Sequence, residues 1–259
     1  LDERWTLLSE LAEVSAAQRS SLGVKTSDYK TFYQEAYGLL NDSRWSAVFN
    51  ASDAERKRYG DDEYGLGLIL AKNILSADAG SHFVYVYDGD KWDHHSYIFD
   101  HDRYPRNHYF TCNRFDRGMT SLLDDLASMP GVEGGKTMLD ETLIVAASEF
   151  GRTPAMNAVR GRDHYGDTYT TFFAGGGVKG GRIIGKTNED CSKCIDTGWK
   201  HFEQPAMDNT VASIYSALGI DWLKSIEDTP SGRSYDYVDP FGLAQSRPNA
   251  NDEIGELFE

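Results

Sequence analysis

The stretch Leu143-Ile144-Val145-Ala146-Ala147-Ser148, continuing as Glu149-Phe150-Gly151-Arg152-Thr153-Pro154 and then Gly161-Arg162-Asp163-His164, decides how the chain is read. Its first six residues form an apolar run bounded by polar residues, the pattern of a strand buried on both faces of a parallel sheet. Glu149 stands where the run ends, and ligands of open α/β sheets bind beyond the carboxyl ends of strands. Gly151 and Pro154 allow the backbone to turn sharply. Asp163 and His164 then add a carboxylate and an imidazole. Glu149, Arg152, Asp163 and His164 are therefore candidates to converge at one sheet edge. Carboxylates and imidazoles are metal ligands, and an arginine beside them suits a phosphate or sulfate oxyanion.

A second cluster has the same layout. Phe83-Val84-Tyr85-Val86-Tyr87 reads as another strand, and Asp88-Gly89-Asp90-Lys91-Trp92-Asp93-His94-His95 follows it. An Asp-His pair in a loop is ordinarily a surface hydrogen-bond pair. Two such clusters past two strands of one sheet predict a shared metal site. Together with Thr170–Ala174, these runs predict a parallel-rich sheet with helices on both faces.

Four stretches carry a resemblance. Trp92-Asp93-His94-His95 resembles a Trp-Asp-Thr-His motif. Glu149 to Pro154 and Gly161-Arg162-Asp163-His164-Tyr165 match two further signatures of the same family, and Phe172 to Gly181 with Ile183-Ile184-Gly185 resemble its glycine-rich strand and turn. The family is the bacterial domain of unknown function 1501, within the alkaline-phosphatase-like superfamily of sulfatases, phosphatases and metal-dependent phosphomutases. The resemblance covers about Tyr64 to Leu218, and more loosely the tail to Phe258.

It implies an alkaline-phosphatase-like α/β sheet, in its carboxy-terminal portion, flanked by helices. It also implies Asp93, His95, Glu149 and His164 as ligands of a divalent metal (zinc, manganese, magnesium or calcium), with Arg152 and Asp163 beside them in catalytic roles. Glu149 stands where the wider superfamily has aspartate. The implied activity is hydrolysis of phosphate or sulfate esters, including anionic small-molecule or glycan esters, outside the cytoplasm; a phosphomutase is a more distant expectation. The superfamily's nucleophile lies in an amino-terminal part, and no matching stretch stands here. Leu1 to Leu22 instead resembles a helix from the middle of a longer family member. The expectation is that the amino-terminal part is missing from this chain or supplied by another chain. The alternative is a non-catalytic extracellular protein that keeps the metal site for stability or binding.

Bulk properties narrow the partners. With 26 basic against 41 acidic residues, net charge is −15, which argues against nucleic acid and anionic membranes. No run approaches the length of a membrane span, and no signal peptide is read at the start. Three cysteines are present: Cys112, Cys191 and Cys194. The Cys191-Ser-Lys-Cys194 spacing suits a metal or a redox pair, but structural zinc wants four ligands. A small loop disulfide or free thiols fit better, outside the active site.

Along the chain, a helical amino-terminal segment is expected over residues 1–60, the α/β core over 61–222 and an irregular tail over 223–259. Helices are expected at Leu1–Leu22, Thr26–Leu40, Ser43–Phe49, Tyr64–Ala77, Asn107–Ala127 and Met207–Leu218, each with apolar residues at helical spacing. Arg56-Lys57-Arg58 reads as a solvated face. His101 and His108 read as loop residues. Gly175-Gly176-Gly177 resembles a phosphate cradle, but no Walker pattern follows, so a tight turn is expected, with Arg182–Gly185 as the next strand.

Overall fold

The computed structural model describes residues 3–10, 26–229, 231–239, 249 and 251–259 of the chain. These divide into two compact units, Leu1–Asp88 and Gly89–Glu259.

The first unit is helical. Residues 3–10 form α1; the rest of the helix expected over Leu1–Leu22 lies outside the described residues. Then follow α2 (Thr26–Asn41), α3 (Ser43–Val48), α4 (Asp53–Tyr59) and α5 (Glu63–Ser76). Local sequence sets these boundaries. Asp42 caps α3, and Ser52 with Glu55 forms a capping box on α4, satisfying amide groups that a helix start leaves unpaired. Arg56, Lys57 and Arg58 occupy the last turn of α4, where cations suit the helix dipole. Val48, Tyr59, Tyr64, Leu68 and Ile69 are buried. Lys72, nearly buried on α5, reaches Glu55 at 2.6 Å, and Asn73 Nδ2 donates to the Val48 and Asn50 carbonyls.

Phe83–Tyr87 does not become a strand of a central sheet. The segment is extended, with Val84 and Val86 half-buried and Phe83, Tyr85 and Tyr87 exposed, but no described strand pairs with it. Val86 lies against Gly67 of α5, where an added Cβ would stand 3.0 Å from its Cγ1. The apolar alternation specified an extended backbone; it did not supply a neighbouring strand.

The second unit joins α6 (His108–Ser128), α7 (Met138–Glu141) and α8 (Met207–Ala217) to four two-stranded sheets. Strand β1 (Ile144–Ala146) pairs with β4 (Phe172–Ala174), β2 (Gly151–Arg152) with β3 (His164–Tyr165), β5 (Lys186–Thr187) with β6 (Cys194–Asp196) and β7 (Ser225–Ile226) with β8 (Tyr235–Asp236). All four pairs are antiparallel. The chain is thus broadly α/β, and the expectation of a parallel-rich sheet is corrected. β1 is only half-buried, so its apolar run marks a short two-stranded ribbon and not a strand covered on both faces.

Gly175, Gly176 and Gly177 follow β4 with φ of 66°, 52° and 84°. A Cβ on Gly175 would meet the Thr142 and Leu139 carbonyl oxygens at 2.3 and 2.5 Å. This is the tight turn, packed under the start of β1. The strand after it is β5 at Lys186–Thr187, beyond the expected Arg182–Gly185. The tail is partly built into the core: Ile254 and Leu257 pack with Trp199 against Phe173, Ile184 and Phe258. Ile254 N–H donates to Ser213 Oγ on α8.

Candidate metal and anion site

Two strips of loop lie side by side in the second unit and carry the site. Residues 94–98 run against 157–162. Ser96 pairs with Arg160 in an antiparallel bridge. The Tyr97 N–H donates to the Val159 carbonyl at 3.1 Å, Ile98 N–H to Arg160 at 3.0 Å, and Arg162 N–H to His94 at 3.0 Å. Gly161 makes the approach possible, because a Cβ there would stand 2.0 Å from the carbonyl carbon and oxygen of His95. Asn157 ties the strips together. Its Nδ2 donates to the His95 carbonyl at 3.0 Å and to Asp163 Oδ1 at 3.1 Å, while its Oδ1 accepts from the Val159 and Gly161 amides. Arg162, the arginine of the Gly-Arg-Asp-His motif, donates to the carbonyls of Thr153 and Pro154. That staple holds the turn after β2 against the strand entering β3.

On this frame Asp93, His95 and His164 bring their donor atoms together, all within 4.8 Å of one another. His95 Nε2 lies 2.9 Å from Asp93 Oδ1 and 3.1 Å from His164 Nε2, and His164 Nε2 lies 3.0 Å from Asp93 Oδ1. The three atoms form a nearly equilateral triangle. On its far side, His95 Nδ1 donates to Asp163 Oδ1 at 2.7 Å. In the neutral ring that bond places the proton on Nδ1 and leaves the Nε2 lone pair aimed into the triangle. The adjacent His94 faces the other way: it is buried, with both ring nitrogens at 3.2 Å from backbone carbonyls of Trp92 and Arg106.

Glu149, expected as the fourth ligand, is exposed and stands outside this cluster. β1 ends at Ala146, and the chain bends at Glu149 before it enters β2. Phe150 and Arg152 face the site, Phe150 with its ring 4.2 Å from His164 and Arg152 in contact with Asp93. Asp163 is close by, as expected, but its partners are His95 and Asn157, so it orients a histidine.

The electrostatics follow the contacts. Partial burial pushes the Asp93 carboxyl up, but Arg152 and His164 outweigh it and hold the group at about 2. Hydrogen bonds from His95 and then Asn157 hold Asp163 below the usual carboxylate range. His108, expected in a solvated loop, is instead half-buried at the first position of α6, edge-on to Trp92 and Phe99, and burial lowers its pKa. His101 is exposed. The roles of Asn157, Arg162 and Gly161 are not read from the sequence: Gly161 and Arg162 stand in a motif, but an asparagine eleven residues past β1 carries no signal.

Cys112, Cys191 and Cys194 are free thiols. The β5–β6 hairpin bearing the last two is tethered to the strand leaving the site: Tyr165 Oη donates to the Ser192 carbonyl at 2.6 Å and Thr168 Oγ1 to that of Cys191 at 2.9 Å.

The chain matches the family described as Protein of unknown function (DUF1501) over residues 2–242, and it belongs to that family. No curated protein and no solved structure matches it. No helix among the described residues is long and apolar enough to cross a membrane.

Proposed function

We propose that the protein binds a divalent cation through Asp93, His95 and His164 and uses it to hold, and to hydrolyse, an anionic phosphate or sulfate ester. The observation that carries this reading is the triangle itself. With His95 neutral and its one ring proton given to Asp163, its Nε2 faces Asp93 Oδ1 at 2.9 Å as lone pair against lone pair. His164 Nε2–H can answer only one of these two acceptors fully. A cation among the three atoms, with the His164 ring proton on Nδ1 instead, satisfies all of them. The donor set fits: two imidazole nitrogens and one carboxylate oxygen are a common ligand set for zinc and similar ions. Tetrahedral ligands at bonds of about 2.0–2.1 Å stand about 3.3 Å apart, so the observed separations need open by only a few tenths of an ångström.

The chain's own residues supply the rest. Asp163 orients His95, Asn157 orients Asp163, and Phe150 packs on His164 and under Arg152. Arg152 offers a guanidinium to the ester's oxyanion. When bound, a divalent cation polarises the ester and lowers the pKa of a bound water or hydroxyl. The alkaline-phosphatase-like arrangement and an exported location are part of the same proposal, supported by the motifs from Trp92 to Gly185.

The test is equilibrium dialysis of the purified chain against zinc, manganese, magnesium and calcium, followed by aryl phosphate and aryl sulfate hydrolysis with the tightest ion. Binding near one ion per chain, lost in His164→Ala, with ion-dependent hydrolysis, is expected. An ion that binds at the triangle without hydrolysis would favour the binding protein over the hydrolase. No binding would defeat both.

A further inference from the structure

Resting on that reading, we infer that Arg152 changes partner: it neutralises Asp93 until a divalent cation takes Asp93 Oδ1, and it then binds a tetrahedral oxyanion. Cation and oxyanion therefore bind with positive coupling, and the site admits the anion only once the cation is in place.

The crowding on one oxygen is the first reason. Asp93 Oδ1 is met by His95 Nε2 at 2.9 Å, by His164 Nε2 at 3.0 Å and by Arg152 Nη1. A carboxylate oxygen has two lone-pair directions. A cation bonded to Oδ1 takes one of them and draws the two histidines to itself as ligands, and its two positive charges repel the guanidinium beside it. Arg152 is the group that leaves.

The second reason is that Arg152 is poorly held. Arg162 donates to two carbonyls, and Arg106 sends two nitrogens to Asp90. Arg152 meets Asp93 closely, yet its buried Nη1 is not aligned for a hydrogen bond. Its fork of five donors is thus built for a planar or tetrahedral oxyanion and is spent on one oxygen atom. Its side chain is only 22% exposed, and the Phe150 ring, 5.8 Å from the guanidinium carbon, keeps it beside the cluster after it is released.

The third reason is the sign of the local charge. With neutral histidines, Asp93 and Asp163 set two negative charges against one from Arg152. That site repels an anion. A divalent cation makes the sum positive and frees the guanidinium at the same step. Linkage then requires that the anion tighten the cation by the same factor.

Calorimetry with zinc chloride and sodium sulfate at constant ionic strength tests this on the whole chain. In the wild type, sulfate should bind at least 10-fold more tightly to zinc-saturated protein than to protein in chelator, and saturating sulfate should lower the zinc Kd by the same factor. Arg152→Met should bind zinc in chloride at least as tightly as the wild type, since a competitor for Oδ1 is gone, and should lose the sulfate coupling. Arg152→Lys keeps the charge and guards against a fold defect in the methionine variant; its coupling should fall to a few-fold. Zinc binding that weakens several-fold in both variants without sulfate, or sulfate that binds equally with and without zinc, overturns the partner exchange while leaving the cation site standing. Failure of the wild type to bind zinc overturns the exchange together with the reading beneath it.

Discussion

Replacing Gly161 with alanine tests the frame on which the candidate site is built. The new Cβ would lie 2.0 Å from the His95 carbonyl carbon and oxygen and 2.3 Å from the Ser96 nitrogen, where real Cβ contacts essentially never fall below 3.0 Å. Backbone, not a flexible side chain, is in the way. The strips 94–98 and 157–162 must part by about 1 Å, given the 2.0 and 3.0 Å figures. That lengthens the Tyr97–Val159, Ile98–Arg160 and Arg162–His94 hydrogen bonds and the Asn157 bond to the His95 carbonyl. Each contributes about 1 kcal/mol net, so losing two to four of them costs about 2–4 kcal/mol. Urea denaturation followed by far-UV circular dichroism reads this as a lower midpoint at an unchanged slope. Gly166→Ala is the control, because nothing lies within 4 Å of its Cβ, and it should change stability by less than about 0.5 kcal/mol. A Gly161→Ala protein as stable as the wild type would refute the close apposition of the two strips.

Other expectations follow from particular contacts. Asn157→Leu and Asp163→Asn should each weaken zinc binding about 10–100-fold, the usual loss when a ligand's orienting partner goes, with calorimetry as the measurement; unchanged affinity would remove the positioning role. Glu55 is held at about 2, chiefly by its bond to Lys72 and then by Ser52. Because its folded pKa is depressed, its stabilisation is complete above the unfolded value of about 4.5 and is lost as pH falls towards 2. Glu55→Gln should therefore cost about 2 kcal/mol at pH 7 and little at pH 2.5, and a cost that did not shrink with acid would contradict the assignment. Cys191→Ser with Cys194→Ser should leave zinc stoichiometry unchanged by equilibrium dialysis, since the thiols stand outside the triangle; a lost equivalent of zinc would place them in a site.

Helices were the most legible part of the chain, because capping and 3.6-residue spacing are local. Asn107, Asp62 and Asp42 cap helices within a residue or two of where the apolar pattern begins. The short helix α4 was missed: its seven residues read as charge, and its only buried member is Tyr59. Strand runs were legible as extended backbone but not in their pairing. Val84 and Val86 gave the right alternation without a partner strand, and β1 pairs antiparallel with β4, beyond the loops that carry the site. In the site, Asp93, His95 and His164 stood out because chemistry-bearing residues followed apolar runs. Glu149 shared that signal yet stands exposed at a bend outside the cluster, because an apolar run sets where a strand ends and not the course of the turn after it. Asn157 acts through bonds between two loops 62 residues apart, which no local pattern encodes.

Asp93, His95 and His164, without Glu149, are the proposed ligands of a divalent cation. Zinc calorimetry on the wild type, His164→Ala and Glu149→Gln tests this assignment directly. One zinc per chain is expected in the wild type, with affinity at least about 10–100-fold lower in His164→Ala and wild-type affinity in Glu149→Gln. Equal zinc affinity in the wild type and His164→Ala would contradict it.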